Sequence, residues 1–133
     1  MTTTFVSTVP ALPSADVARS VAFYRDRLEF EVVHEEAGFA ALRRDGASVH
    51  IWGATDEAWR AGLDTEKPVR SGAESFIAGT ASCRIAVDGI DALYEHCTAA
   101  GIVHPNGALT AQPWGSRDFT ILDPDGNAVA FFE

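Results

Sequence analysis

Four histidines, two cysteines and a scatter of aromatic residues are the side chains of this 133-residue sequence that could do chemistry. His34, His50, His96 and His104 fall on a strand, a second strand, a helix and a loop, and none stands in a nucleophile motif with a base at a fixed spacing. Cys83 and Cys97 could pair on count alone, but two buried thiols are the expected state, and neither is given a chemical role. Cys83 alone could approach a site, from the fifth strand. The aromatics offer a different chemistry. Trp52, Trp59, Phe76 and Trp114 sit where an open ring face is plausible, and such faces bind flat heteroaromatic rings at about 1 kcal/mol per contact. They also attract cations. Phe23, Tyr24, Phe119, Phe131 and Phe132 lie on helix or strand faces expected to pack as core or interface.

The elements that must position these groups follow from pattern. Val6 to Leu12 reads as a strand ending at Pro13-Ser14. Val17, Val21, Tyr24 and Leu28 then mark one helical face, entered through Ser14 as N-cap with Asp16 in the first turn. Phe30 to His34 and Phe39 to Arg43 read as strands, and Asp45-Gly46 is a tight-hairpin dipeptide leading into Val49 to Trp52. Residues 54–79 break the pattern and are expected to form a flap or linker carrying Trp59 and Phe76. From Ser82 the plan returns: Ile85 and Val87 in a strand, Ile90, Leu93, Tyr94 and Cys97 on a helical face ending at Gly101, and a hairpin around Asp123-Pro-Asp-Gly126. The order is βαβββ twice. One domain over 1–133 is expected, with repeat one at 4–53 and repeat two at 80–133.

The duplication can be read position by position. Adding 80 takes Phe39 to Phe119, Asp45-Gly46 to Asp125-Gly126 and Val49 to Val129. Adding 72 takes Asp16 to Asp88 and Tyr24 to His96, so about eight extra residues are expected near Pro105 to Trp114 in the second copy. Arg117 and Asp118, beside that stretch, are candidates to pair with each other, and His96 and His104 are expected at the surface.

Composition excludes several function classes. A net charge of -9 disfavours nucleic acid and suits a cationic ligand. No apolar run approaches the roughly 18 residues that span a bilayer. Met1 to Phe5 has neither basic nor apolar signal character, so the cytoplasm is the expected location.

Asp16-Val-Ala-Arg-Ser-Val-Ala-Phe-Tyr-Arg-Asp-Arg-Leu-Glu-Phe30, Gln112-Pro-Trp-Gly115 and Asp123-Pro-Asp-Gly-Asn127, in that order and within a repeat, resemble the vicinal oxygen chelate superfamily and, within it, the bleomycin-resistance proteins. Glu29 departs from the glycine usual there and requires that backbone position to tolerate a side chain. The resemblance implies an α+β fold of two βαβββ units forming a paired half-barrel cup, and a homodimer. In the superfamily's enzymes, His, Glu or Gln on the first and last strand of each repeat hold a divalent ion. Carried over, those positions fall near Val9, His50, Ala81 and Ala130, with Thr8, Pro10, Thr80 and Ser82 one residue away, and only His50 can ligate. No metal, cofactor or catalytic residue is therefore expected, His50 being the best general-base candidate by its cup-facing strand position.

The implied function is non-enzymatic binding of a planar, cationic small molecule such as a bleomycin-type antibiotic. Its expected contacts are His34, Phe39, His50, Trp52, Arg84 and Trp114, which retain part of the family's aromatic clamp and rewrite the rest. The alternatives are a glyoxalase-like lyase or dioxygenase with a degenerate metal site, and a dimeric accessory protein without ligand.

Overall fold

The structure, a computed structural model, describes residues 2–54 and 78–133. Trp59 and Phe76 of the expected flap lie outside them. The first repeat comprises β1 (Ala11–Ser14), α1 (Val17–Leu28), β2 (Glu31–Glu36), β3 (Phe39–Arg44) and β4 (Ala47–Gly53). The second comprises β5 (Ser82–Ala86), α2 (Ile90–Ala99), β6 (Thr110–Ala111), β7 (Arg117–Leu122) and β8 (Ala128–Phe132). They build two four-stranded sheets, β1-β4-β3-β2 and β5-β8-β7-β6. In each, the first strand runs parallel to the last and the other pairs are antiparallel. The α+β architecture is the one expected from the repeat. Among the described residues no helix is long and apolar enough to cross a membrane.

Period-2 alternation divides each sheet into two faces. On β4, Val49 and Ile51 are buried beside Leu12, Ala40 and Leu42, whereas His50 and Trp52 lie half-buried on the opposite face. The helical stripe predicted from spacing closes this core, since Val17, Val21, Tyr24 and Leu28 are all buried. Ile90, Cys97, Phe119, Ile121, Val129 and Phe131 continue it into the second half as one cluster.

Several local expectations change. The first strand starts at Ala11 rather than Val6, and Phe5 and Val6 are 85% and 91% exposed. The ladder with β4 starts where the Pro10 carbonyl accepts from the His50 N–H, and side chains are drawn into the core from Leu12 onward. The N-cap of α1 is Asp16, whose carboxylate accepts from the Arg19 N–H, and not Ser14. Ser14 ends β1, and its hydroxyl accepts from the Asp16 N–H and meets the Ser20 hydroxyl at 2.8 Å. Glu29 sits at φ 57°, the left-handed conformation its glycine-like position requires.

The strand registers also correct the repeat. Ala11 lies opposite His50 and Arg84 opposite Ala130, so β1 maps onto β5 with a spacing of 73, not 72. The helix caps Asp16 and Gly89 agree with it. Phe39 pairs with Trp52, but Asp118 pairs with Phe132 and Phe119 with Phe131, so β3 maps onto β7 with a spacing of 79. Phe39 thus corresponds to Asp118, and buried Ala40 to buried Phe119. The insertion expected at about eight residues is six ahead of β7 plus one in the following turn.

That longer turn fastens the halves together. The Asn127 amide donates to the Pro13 carbonyl at 2.8 Å and to Asp123 Oδ2 at 3.1 Å, while its Oδ1 accepts from the Gly79 and Ala81 N–H groups. Asp125 accepts from the Ala15 N–H, the Ser20 hydroxyl and the Arg19 guanidinium. Gly79, at φ 88°, lies so close that a Cβ there would sit 2.3 Å from the Asp125 carbonyl oxygen.

Candidate functional site

The sheet faces turned away from the core carry the predicted site residues in rows. His50 on β4 stands opposite Ala11 on β1 and Ala41 on β3, and Ala41 in turn stands opposite His34 on β2. His34 reaches this row through a bulge: the β2–β3 register shifts between Val32 and His34, which leaves Val33 exposed. One row along, Trp52 stands opposite Phe39. The Phe39 ring lies 5.1 Å from His50, edge to face, and 6.4 Å from His34. Four of the six predicted contacts therefore form one patch. The alanines between them keep the floor low, leaving the rings as its relief.

The corresponding face of the second sheet is different in chemistry. Arg84 stands opposite Ala130, and its guanidinium carbon lies 4.8 Å from the centre of the Phe132 ring, within cation–π range. Asp118 Oδ2 is 3.9 Å from the same guanidinium, and Asp118 Oδ1 accepts from the Gln112 amide at 2.9 Å. Gln112 also opens the turn that presents Trp114: its N–H donates to the Ser116 carbonyl and its carbonyl accepts from the Gly115 N–H. Gly115, at φ 99°, permits this reversal. Trp114 is left 71% exposed at the tip. No ring contact or hydrogen bond joins this group to the His34–Trp52 patch among the described residues.

Two members of this face escaped the sequence reading. Phe132, assigned to core or interface, lies half-buried under Arg84 on the site face. Its signal was available, because the spacing of 80 between β4 and β8 maps Trp52 onto it. Asp118 does not pair with Arg117, which instead forms a double hydrogen bond to Asp91, both contacts at 2.9 Å. Successive strand residues point to opposite faces, so neighbours 117 and 118 are parted by the pleat. His96 is exposed as expected, its Nε2 2.7 Å from the Arg27 carbonyl, whereas His104 is half-buried.

Nucleophilic chemistry finds no support in the cysteines. Cys83 packs against the core, on the face opposite Arg84, so it does not approach the site from β5. Burial, with the nearby Asp123 charge, pushes its thiol up to about 11. Burial likewise raises Cys97 to about 11. Such thiols are poor nucleophiles at neutral pH.

Metal chemistry can be tested on the corrected register. Ala81, taken as a cup position, packs with the core instead, and the site-facing residues of β5 are Ser82, Arg84 and Ala86. The positions aligned across first and last strands are Ala11 with His50 and Arg84 with Ala130. One imidazole beside alanines and a guanidinium does not make a divalent-ion site, which needs three or more converging N, O or S donors. Among the described residues no group of three or more His, Cys, Asp or Glu comes together elsewhere.

Comparison with known proteins places this geometry. The model of the Glyoxalase/Bleomycin resistance protein/Dioxygenase superfamily matches residues 6–131. A bleomycin resistance protein of Geobacillus stearothermophilus is 51% identical over 128 residues, 96% of each chain. The solved bleomycin-binding protein of the bleomycin producer Streptomyces verticillus, in complex with copper(II)-bleomycin, superposes with a TM-score of 0.68 at 29% identity, covering 97% of this chain and 96% of that one. A lactoylglutathione lyase of Agrobacterium tumefaciens superposes with a TM-score of 0.72 at 22% identity, covering 96% and 92%, so the fold alone does not separate binder from enzyme.

Proposed function

Given that this chain belongs to the Glyoxalase/Bleomycin resistance protein/Dioxygenase superfamily, we propose that it binds and sequesters a planar, cationic antibiotic of the bleomycin type without transforming it. The observation that carries the reading is the pairing of an aromatic site face with aligned first-strand and last-strand positions, Ala11, His50, Arg84 and Ala130, of which His50 alone is a metal donor. Phe39, Trp52 and the exposed Trp114 offer ring faces to a flat heteroaromatic system, and His34 and His50 flank Phe39. A net charge of -9 draws a cation toward the surface. The likeness to bleomycin resistance proteins at 51% identity over nearly the full length favours this ligand class over the lyase chemistry of the fold's enzymes.

The working unit in this reading is a homodimer. Each sheet supplies one wall of a groove, and Phe5, Val6, Val9, Val33 and Trp114 are large apolar side chains left open in the single chain. A second copy covering them would complete the walls. Cytoplasmic action suits two unpaired thiols, Cys83 and Cys97.

The test is titration of the purified protein with bleomycin, following tryptophan fluorescence, with and without EDTA, alongside metal analysis. Saturable quenching unaffected by the chelator is expected. Absence of saturation, or a stoichiometric divalent ion with lyase or dioxygenase turnover, would overturn the reading.

A further inference from the structure

Arg84 is the one arginine among the six predicted contacts, and its position is defined without its hydrogen-bonding capacity being spent. It is held above Phe132 at 4.8 Å from the ring centre. Its nearest carboxylate oxygen, Asp118 Oδ2, stands at 3.9 Å, too far for a hydrogen bond. Asp118 is itself fixed, because Oδ1 accepts from Gln112 at 2.9 Å. Among the described residues no hydrogen bond to a protein acceptor is made by the Arg84 guanidinium, and its side chain is 54% exposed.

A guanidinium carries five N–H donors in a planar fork matched to carboxylate and carbonyl oxygens. Its charge here is moderated by Phe132 below and Asp118 beside it, so it does not repel a cationic molecule as a bare arginine would. The neighbouring floor residue is Ala130, with Thr120 beyond it, both small side chains.

We infer that Arg84 is a specificity-determining residue that receives a planar oxygen acceptor of the ligand, an amide, carbamoyl or carboxylate group, through the Phe132–Arg84–Asp118–Gln112 arrangement. The inference rests on the antibiotic-binding reading and deepens it. The ligand must then be bifunctional, with flat rings for Phe39, Trp52 and Trp114 and an oxygen acceptor for Arg84. A purely aromatic cation lacking such an oxygen would satisfy only the first requirement.

The experiment uses the full-length protein, bleomycin as the amide-bearing probe, and NMR observation of the Arg84 Nε–H resonance together with tryptophan fluorescence. On titration, the Arg84 Nε–H signal is expected to move downfield and exchange more slowly with water. Arg84→Lys, which keeps the charge but not the fork, and Arg84→Gln are both expected to weaken bleomycin at least tenfold. Thermal midpoints should stay near the parent's, since the side chain is half open. An upfield shift with unchanged exchange would mean that a ring stacks on the guanidinium instead, and would overturn the inference. Affinity within twofold of the parent in both variants would overturn it too, as would full retention by Arg84→Lys, which would reduce the role to a point charge. Each of these results leaves the sequestration reading standing. No quenching of the parent protein by bleomycin would overturn that reading and this inference together.

Discussion

The Tyr24 hydroxyl donates to Asp123 Oδ2 at 2.9 Å, joining a helix of the first repeat to a turn of the second inside the protein. Burial pushes the Asp123 carboxyl up, against the stabilising pull of Asn127, Tyr24 and the Asp125 N–H. Burial and the same carboxylate push the Tyr24 phenol far above its ordinary range. Tyr24→Phe removes one donor from a buried carboxylate and leaves the ring in place. A loss of about 1.5–3 kcal/mol is expected in urea unfolding. A loss below about 0.5 kcal/mol, the size of an ordinary surface change, would mean that water replaces the phenol freely.

Asp125 gives the joint a pH dependence of opposite sign. Burial raises its carboxyl, but the Ala15 N–H, the Ser14 and Ser20 hydroxyls and the Arg19 guanidinium outweigh this, and the net shift is downward. With a folded value below the unfolded one, near 3.9 for an aspartate, its stabilisation is complete above the unfolded value. It is lost as pH falls through the folded one. Asp123, raised, instead loses stabilisation as pH climbs from its unfolded toward its folded value. Parent and Asp125→Asn should therefore differ most near neutrality and converge below about pH 4. A stability gap in urea unfolding that stays constant down to about pH 3 would exclude the carboxylate as its source.

Glu29 holds a left-handed backbone conformation, φ 57°, at the end of α1. Its side chain is exposed, and its only ion pair among the described residues, with Arg44, is 3.5 Å long. A non-glycine residue is strained there by about 1–2 kcal/mol, and an exposed pair contributes little. Glu29→Gly is expected to raise stability by about 0.5–1 kcal/mol once the extra freedom of the unfolded glycine is included. Thermal unfolding reads it directly, and a lowered midpoint would assign the Glu29–Arg44 pair a larger share than its length suggests.

Trp114 and Phe39 separate binding from folding. Trp114 is 71% exposed, so Trp114→Ala should leave the unfolding midpoint within error while weakening bleomycin about fivefold, one stacking contact's worth. Phe39→Ala should weaken it similarly and also cost some stability, because Phe39 packs against His50 at 5.1 Å. Fluorescence titration of both, with Trp52 still reporting, checks the pair. Unaltered affinity in both variants would move the binding face elsewhere.

Much of the fold was written in local periodicity. The α1 stripe and the Asp45-Gly46 hairpin need only neighbours along the chain, and both stand where spacing put them. The registers were less legible for reasons of physics. Asp16 and Asp88 look equivalent, yet the N-cap of α2 is Gly89, whose N–H and that of Ile90 donate to the carboxylate of Glu133. A cap supplied from the far end of the chain leaves no signal beside the helix. The match of Phe39 to Phe119 misled in the same way, since one residue added to a turn exchanges the faces of everything before it. At the site, His34, Phe39, His50 and Trp52 do share a patch. The bulge that brings His34 there carries no glycine to mark it.

The longer β7–β8 turn makes the two repeats unequal partners. The β3–β4 turn, spanned by Asp45-Gly46, closes its hairpin and makes no hydrogen bond to the second repeat among the described residues, whereas the β7–β8 turn places Asp123, Asp125 and Asn127 against the first repeat. A tandem of two first repeats would keep both sheets and both helices but would have no clasp to hold them together. Duplication supplied two walls, and the added residue gave the pair a head and a tail.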